Sequence, residues 1–88
     1  MSGHPVRLVY FAWVRERIGK AEEEIELADG VTTPADLMAY LSDADETYAH
    51  AFADPSIVRV ALDKRVAEHD ATLSNAREIA FFPPMTGG

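Results

Sequence analysis

The succession of strand and helix signals along the chain predicts an α+β domain: one mixed sheet of four to five strands with helices on one of its faces. Three observations support this class. Segments rich in β-formers occupy both ends of the chain, and helix-starting residues lie between them. The 88 residues are 48% hydrophobic, which suffices for one modest core and excludes a disordered chain. The other face of the sheet is left for solvent or a partner.

The first 28 residues predict a strand, a short helix and a second strand. Residues 5–11, PVRLVYF, are rich in β-formers. Val14 and Ile18 follow four residues apart, as on one face of a helix, and Gly19 suits the helix end. Residues 22–28, EEEIELA, alternate acidic and apolar side chains. This alternation predicts a strand with one solvated face, paired with the first strand in a hairpin.

Two helices are predicted in the middle of the chain. Thr33 can cap the first of them, and Pro34 suits its first turn, where a missing N–H costs nothing. Pro55 stops the second helix. Further strand or strand-and-turn segments are predicted over residues 56–63, 64–70 and 77–82. Pro83 and Pro84 end the last strand because neither residue can donate a hydrogen bond to a ladder.

Charge and composition exclude several classes of protein. The formal net charge is −7, from 15 acidic and 8 basic residues, which disfavours nucleic-acid binding because phosphate contacts need clustered Lys and Arg. The chain has no cysteine, so disulfides, thiolate metal sites and a cysteine nucleophile are excluded. No apolar stretch approaches the roughly 20 residues of a membrane span, and the first residues do not resemble a signal peptide. We therefore expect a cytoplasmic protein that binds neither nucleic acid nor membrane.

Few residues are candidates for catalysis within the chain itself. His4, His50 and His69 have neither metal-ligand spacing nor a neighbouring nucleophile, so we interpret them as surface or local structural residues. The run Glu22–Glu24 is interpreted as a solvated strand edge, because successive side chains point in opposite directions. The sequence has no glycine-rich nucleotide loop, and we expect this chain to bind no metal and no cofactor. Trp13 is equally compatible with the core and with a partner contact.

The stretch FFPPMTGG, residues 81–88, is the segment that best suggests chemistry. Pro83 and Pro84 favour an extended path that projects the next residues away from the sheet. Gly87 and Gly88 lack a Cβ and can enter a narrow tunnel, which suits delivery of a carboxylate into another protein's active site. A carboxylate needs activation and the chain has no ATP site, so a separate activating enzyme is implied. The activated carbonyl can accept an amine, giving a protein conjugate, or sulfur, giving a thiocarboxylate.

Two stretches of the chain match the motifs of a known family. Residues 11–19, FAWVRERIG, fit the pattern Phe-Ala-x-x-Arg-Glu-x-x-Gly, and residues 78–88, EIAFFPPMTGG, fit Glu-Val-Ala-Phe-x-Pro-Pro-x-x-Gly-Gly. Together with length and element order, they make nearly the whole chain resemble the sulfur-carrier small subunits of molybdopterin synthase, which are ubiquitin-like β-grasp proteins. The chain departs from this family at Asp63, often Asn, and at Ala76 and Arg77, usually Gly-Asp.

The resemblance implies a β-grasp domain over residues 1–82 and an extended tail over residues 83–88. It implies that an adenylating enzyme activates the Gly88 carboxylate with ATP and that a sulfur donor converts it to a thiocarboxylate. Gly87 gives Gly88 access to the large, catalytic subunit, where the sulfur is transferred to cyclic pyranopterin monophosphate to build the dithiolene of molybdopterin. The chain is then a non-catalytic sulfur-donor subunit, expected in a heterotetramer with two copies of each subunit.

The resemblance also implies which residues meet the large subunit, either in its entry channel or at an apolar docking patch. These residues are Val66, Phe82, Pro83, Pro84, Met85 and Thr86. Phe81 and Phe82 point to opposite faces of a strand, and the family comparison favours Phe82 as the outward one. Three alternatives stay open: a sulfur carrier for thiamine or another thiolation pathway, a ubiquitin-like modifier joined to lysines, and an interaction domain with an inert tail.

Overall fold

The computed structural model describes residues 4–73 and 75–84, and within them the predicted α+β class is confirmed. The strands of this part of the chain are β1 (Pro5–Tyr10), β2 (Glu22–Glu26), β3 (Arg59–Leu62), β4 (Arg65–Ala67) and β5 (Glu78–Phe82). Its helices are α1 (Ala12–Ile18), α2 (Pro34–Ala44) and α3 (Glu46–Ala51), followed by a 3-10 turn over Pro55–Ile57. Each predicted segment is found, with shorter bounds at several ends.

The strands form one mixed five-stranded sheet in the order β2-β1-β5-β3-β4. β1 and β2 pair antiparallel, so their predicted pairing is confirmed. β5 lies in the centre, parallel to β1 and antiparallel to β3, and β4 forms the edge beside β3. Because β1 and β5 run in the same direction, the residues that follow these two strands lie at the same end of the sheet.

The helices pack on one face of the sheet, as the sequence predicts. They contribute to the core Val14, Ile18, Leu37, Met38, Leu41 and Ala51. The strands contribute from the face turned towards the helices Val6, Leu8, Tyr10, Val60, Ile79 and Phe81. Alternate residues of the same strands point away from this core. We call the surface that they form, which no helix of the described chain covers, the open face.

The residues that predict helix ends occupy those ends in the structure. Thr33 Oγ1 accepts a hydrogen bond from the Asp36 N–H at 3.1 Å and so caps α2. Gly19 closes α1 with a left-handed φ of +88°, and its N–H donates to the Arg15 carbonyl at 2.8 Å. A residue with a Cβ adopts this conformation at a cost, which explains why glycine stands there.

Two of the element ends that differ from the sequence prediction have a local cause. β1 ends before Phe11, because Phe11 already caps α1. α3 ends at Ala51, and Pro55 begins the 3-10 turn instead of stopping the helix directly. Proline suits the first position of such a turn for the same reason that it suits a helix start: its N–H would have no partner there.

The turn between β3 and β4 also holds the start of β5. Asp63 and Lys64 have positive φ values of 49° and 72°, as in a tight hairpin turn of the primed type. The Asp63 carboxylate accepts hydrogen bonds from the backbone N–H groups of Arg77 and Glu78, at 2.9 and 3.0 Å. Ala76 is buried and has no positive φ, so this chain does not need the family's glycine at that position.

Candidate docking face and tail base

Three side chains, those of Phe11, Phe82 and Arg59, form a row across the open face. The row lies where β1 and β5 end and β3 begins. The parallel register pairs Tyr10 with Phe81, so Phe11 comes next to Phe82. The Phe11 N–H donates to the Phe81 carbonyl at 3.1 Å and fixes this juxtaposition. On the other side of β5, Phe82 is paired with Arg59. The row therefore borders the point where the chain leaves the sheet after β5.

A second row, of small apolar side chains, adjoins the first. Val9 is paired with Ala80, Ala80 with Ala61, and Ala61 with Val66. Val66 is 64% exposed, whereas Ala61 and Ala80 are buried, at 8% and 6% exposure, although they lie outside the core cluster. We define the docking face as the apolar residues of the two rows: Val9, Phe11, Ala61, Val66, Ala80 and Phe82. A contiguous apolar surface with exposed members is typical of a protein-binding site.

The two neighbouring phenylalanines of β5 have opposite surroundings. The Phe81 ring is fully buried and lies 6.0 Å from the Tyr10 ring and 5.1 Å from the Phe52 ring, between centroids. Phe82 is only half-buried and belongs to the open face. The prediction that Phe82 is the outward residue is confirmed, whereas its contact with a partner stays a prediction.

The beginning of the tail adjoins the docking face. Pro83 is half-buried and Pro84 is exposed, and both follow Phe82 directly. The predicted contact residues Met85 and Thr86 and the predicted reacting residues Gly87 and Gly88 lie outside the described residues. The structure thus brings Phe82 and Val66 to one face of the sheet, and the two prolines follow Phe82 at the end of β5.

Phe11 belongs to the same surface although the sequence prediction assigned it no contact. It is 48% exposed. Ala12 follows it with a φ of +54°, a conformation that costs an alanine about 1–2 kcal/mol, and this sharp start of α1 holds Phe11 at the end of the sheet. The sequence carries Phe11 in its FAWVRERIG motif. Its proximity to Phe82 depends on the parallel β1–β5 pairing, which no local pattern reveals.

Charged residues occupy the remainder of the open face. The Arg7 guanidinium lies 3.1 Å from the Glu78 carboxylate and 3.9 Å from that of Glu22. Glu24 and Glu26 continue along the same side of the edge strand β2 and are exposed. The docking face is therefore bordered on the β2 side by a band of mostly acidic side chains.

Glu23 corrects the prediction that the whole glutamate run is a solvated edge. It points to the helix side, where its carboxylate accepts hydrogen bonds from the hydroxyls of Tyr10 and Tyr48 and from Lys20 Nζ. Partial burial alone raises the pKa of Glu23, but the hydrogen bonds from Tyr48, Lys20 and Tyr10 outweigh it and hold this pKa below its ordinary value. Burial, followed by the Glu23 contact, raises the pKa of Tyr10. The cluster ties α3 to β1 and β2.

The other candidate residues have structural surroundings. The ring nitrogens Nε2 of His4 and His69 lie 3.3 and 2.7 Å from the carbonyls of Ala76 and Val58, which confirms a local structural role. Trp13 packs partly buried against the core, with the Arg17 guanidinium 4.6 Å above its ring. Over the described ranges, no group of three or more metal-ligating side chains is found. No helix among these residues is long and apolar enough to cross a membrane.

Sheet order and helix placement define a ubiquitin-like β-grasp protein, and comparison with solved structures confirms this class. The chain superposes on small archaeal modifier protein 1 of Haloferax volcanii with a TM-score of 0.71, 97% and 100% coverage of the two chains and 23% identity, a likeness of fold alone. It superposes on a putative molybdopterin converting factor subunit 1 of Pyrococcus furiosus with a TM-score of 0.70, 28% identity and 92% and 98% coverage.

The chain belongs to the ThiS family, whose model matches residues 8–88. It is 32% identical over 83 residues to the molybdopterin synthase sulfur carrier subunit of Escherichia coli K12, covering 94% of this chain and 99% of the relative. It is 31% identical over the same length, with the same coverage, to the subunit of that name from Haemophilus influenzae. The resemblance to this family is thereby confirmed.

Proposed function

We propose that this protein is the sulfur carrier of a molybdopterin synthase and bears its sulfur as a thiocarboxylate on Gly88. The relatives that match nearly the full chain carry the name of such carriers. The supporting structural observation is the docking face, which lies at the end of the sheet where β5 passes into Pro83. A partner that covers the docking face is placed to receive residues 83–88, which follow β5 in the chain.

In the proposed cycle the chain supplies a carrier group and no catalytic base. A separate adenylating enzyme joins the Gly88 carboxylate to AMP and releases pyrophosphate from ATP. Sulfide (HS⁻) from a sulfur donor then attacks the acyl-adenylate carbonyl and displaces AMP, which leaves a thiocarboxylate. The large subunit takes this end into its active site and transfers the sulfur to cyclic pyranopterin monophosphate, and hydrolysis regenerates the carboxylate. Two such transfers complete the dithiolene, and a heterotetramer with two copies of each subunit would hold two carriers.

The docking face is proposed to contact the large subunit through Phe82 and Val66, with Phe11 beside them. Pro83, Pro84, Met85 and Thr86 are proposed to line the entry channel, and Gly87 to give Gly88 access. The chain itself is proposed to bind neither ATP nor a metal. We place this cycle in the cytoplasm, because the chain has no cysteine to suggest an oxidising compartment.

Mass spectrometry tests the chemistry directly. The chain is incubated with adenylating enzyme, ATP and a sulfur donor, and a mass increase for one oxygen replaced by sulfur is expected at Gly88. A chain without Gly87 and Gly88 should show no such increase and should melt at the temperature of the full chain, since these residues follow the packed domain. Absence of the sulfur-containing product from the full chain would falsify the proposal.

Genetic rescue separates the proposed role from the other carrier and modifier roles. The chain, supplied with its own large subunit, should restore molybdenum-cofactor synthesis in a strain without its carrier, and it should not restore thiazole synthesis in a strain without the thiamine carrier. Rescue of thiazole synthesis alone would assign the chain to thiamine. Adducts of a tagged chain on lysines of other proteins, lost with Gly88, would assign it to protein modification.

A further inference from the structure

We propose that Arg59 forms a salt bridge with a carboxylate of the large subunit and thereby selects the cognate partner at the docking face. The inference rests on the proposed function and names a specificity-determining residue within it. Arg59 is the first residue of β3 and is paired with Phe82, the last residue of β5. It thus ends the row that Phe11 and Phe82 begin.

The direction of the Arg59 side chain follows from its neighbours. Val58 and Val60 are fully buried in the core, and side chains of successive strand residues point to opposite faces. Arg59 therefore projects to the open face, as Phe82 and Ala61 do, and it is exposed. A partner that covers the Phe82 ring comes close to Arg59, because the Cα atoms of paired residues of antiparallel strands lie about 4.5–5.5 Å apart.

Arg59 differs from the other arginine of the open face because the described part of the chain gives it no counter-ion. Arg7 has Glu78 and Glu22 within 4 Å. Within residues 4–73 and 75–84, no side chain makes an ion pair or hydrogen bond with the Arg59 guanidinium. Glu68 directly follows the end of β4 at Ala67, the residue opposite Val60, and is thus an acidic residue close to Arg59 in the sheet, yet no ion pair joins the two.

An unpaired guanidinium beside an apolar contact constrains the surface that covers it. Burial of a charge without a counter-charge opposes binding, whereas a carboxylate at hydrogen-bond distance makes a planar, bidentate pair with arginine. The chain as a whole is acidic, with a net charge of −7, so a partner that matches it by overall charge is basic. A carboxylate opposite Arg59 would be an acidic group on an otherwise basic surface. A basic protein without this carboxylate would bind less well, so the pair provides specificity.

The experiment compares Arg59→Glu with Arg65→Glu in binding to the purified large subunit, by calorimetry at two salt concentrations. Both variants change the net charge of the chain equally. Arg65 is exposed on β4 but is paired with Leu62, on the side opposite Val66, so it lies off the docking face. We expect Arg59→Glu to weaken binding about 10- to 100-fold and Arg65→Glu less than about 3-fold. Arg59→Glu should bind better to a large subunit whose facing carboxylate is changed to arginine.

The outcomes separate this inference from the proposed function. Equal effects of the two variants, with wild-type chain binding tightly, would refute the role of Arg59 and leave the sulfur-carrier function standing. No binding of the wild-type chain to any large subunit would count against the function itself. A loss of adenylation with Arg59→Glu, at unchanged affinity for the large subunit, would place the contact on the activating enzyme and refute the proposal. Thermal melts of both variants check that each is folded.

Discussion

Replacement of each neighbouring phenylalanine of β5 by alanine tests the division between core and docking face. Phe81 has no exposed surface and contacts the rings of Tyr10 and Phe52. Truncation of a buried phenylalanine costs about 3–5 kcal/mol. A chain of this size has a free energy of unfolding of about 4–13 kcal/mol, so Phe81→Ala loses a large fraction of it. At about 4–8 °C per kcal/mol, the melting temperature should fall by about 12–40 °C.

Phe82→Ala should have little effect on the stability of the chain and a clear effect on its binding to the large subunit. Its ring is half-exposed, so its removal should cost the isolated chain about 1 kcal/mol or less. If the large subunit buries the remaining surface, the variant loses about 0.5–1.5 kcal/mol of binding free energy, which weakens affinity about 2- to 12-fold. Thermal melts followed by circular dichroism and titrations with the large subunit measure the two effects. The reasoning is refuted if Phe82→Ala melts as early as Phe81→Ala, or if it binds like the wild type.

Three further changes test the local structure. Asp63→Ala should lower the melting temperature, whereas Asp63→Asn should nearly preserve it, because asparagine keeps an acceptor for the two N–H groups of β5; equal melting of the two variants would contradict the role of the acceptor. Gly19→Ala should destabilise the chain by about 1–2 kcal/mol through its positive φ alone, since an added Cβ meets no atom within 4 Å, and denaturant unfolding measures this. Because the pKa of Glu23 is lowered in the folded chain, its carboxylate stabilises the fold at pH values above its ordinary pKa of 4.5. This stabilisation is lost as the pH falls through the pKa of the folded state. Melting temperatures of wild type should therefore fall more steeply with acidification below that pH than those of Glu23→Gln, and parallel curves would refute this.

The sequence suffices for the fold class because its local patterns agree with one another. Alternation in residues 22–28, the Thr33–Pro34 helix start and the Gly19 helix end all correspond to observed elements. Each of these depends on neighbours in the chain, which is why periodicity and capping residues predict them. The outward position of Phe82 was likewise predictable, although only with the help of the family comparison.

Features that depend on distant residues were not predictable in this way. The approach of Phe11 to Phe82 requires the parallel pairing of the first and last strands. Glu23 was assigned to a solvated edge because the alternation of its strand shows two faces and does not show Tyr48 above one of them. Arg59 has no counter-ion among the residues that the structure describes, and this depends on which residues the fold brings near it. In each case a tertiary contact decides what a side chain does, and local patterns carry no information about it.

The central position of β5 also has a consequence for synthesis on the ribosome. β5 lies between β1 and β3 and contributes Ile79 and Phe81 to the core, so a nascent chain that has not yet released this strand has its sheet divided in two. The long sequence separation between β1 and β5 delays their pairing further. The strand that leads into Pro83 is thus the strand that completes the domain. An unfinished polypeptide that lacks β5 therefore lacks the folded docking face, because this face includes Ala80 and Phe82 of that strand.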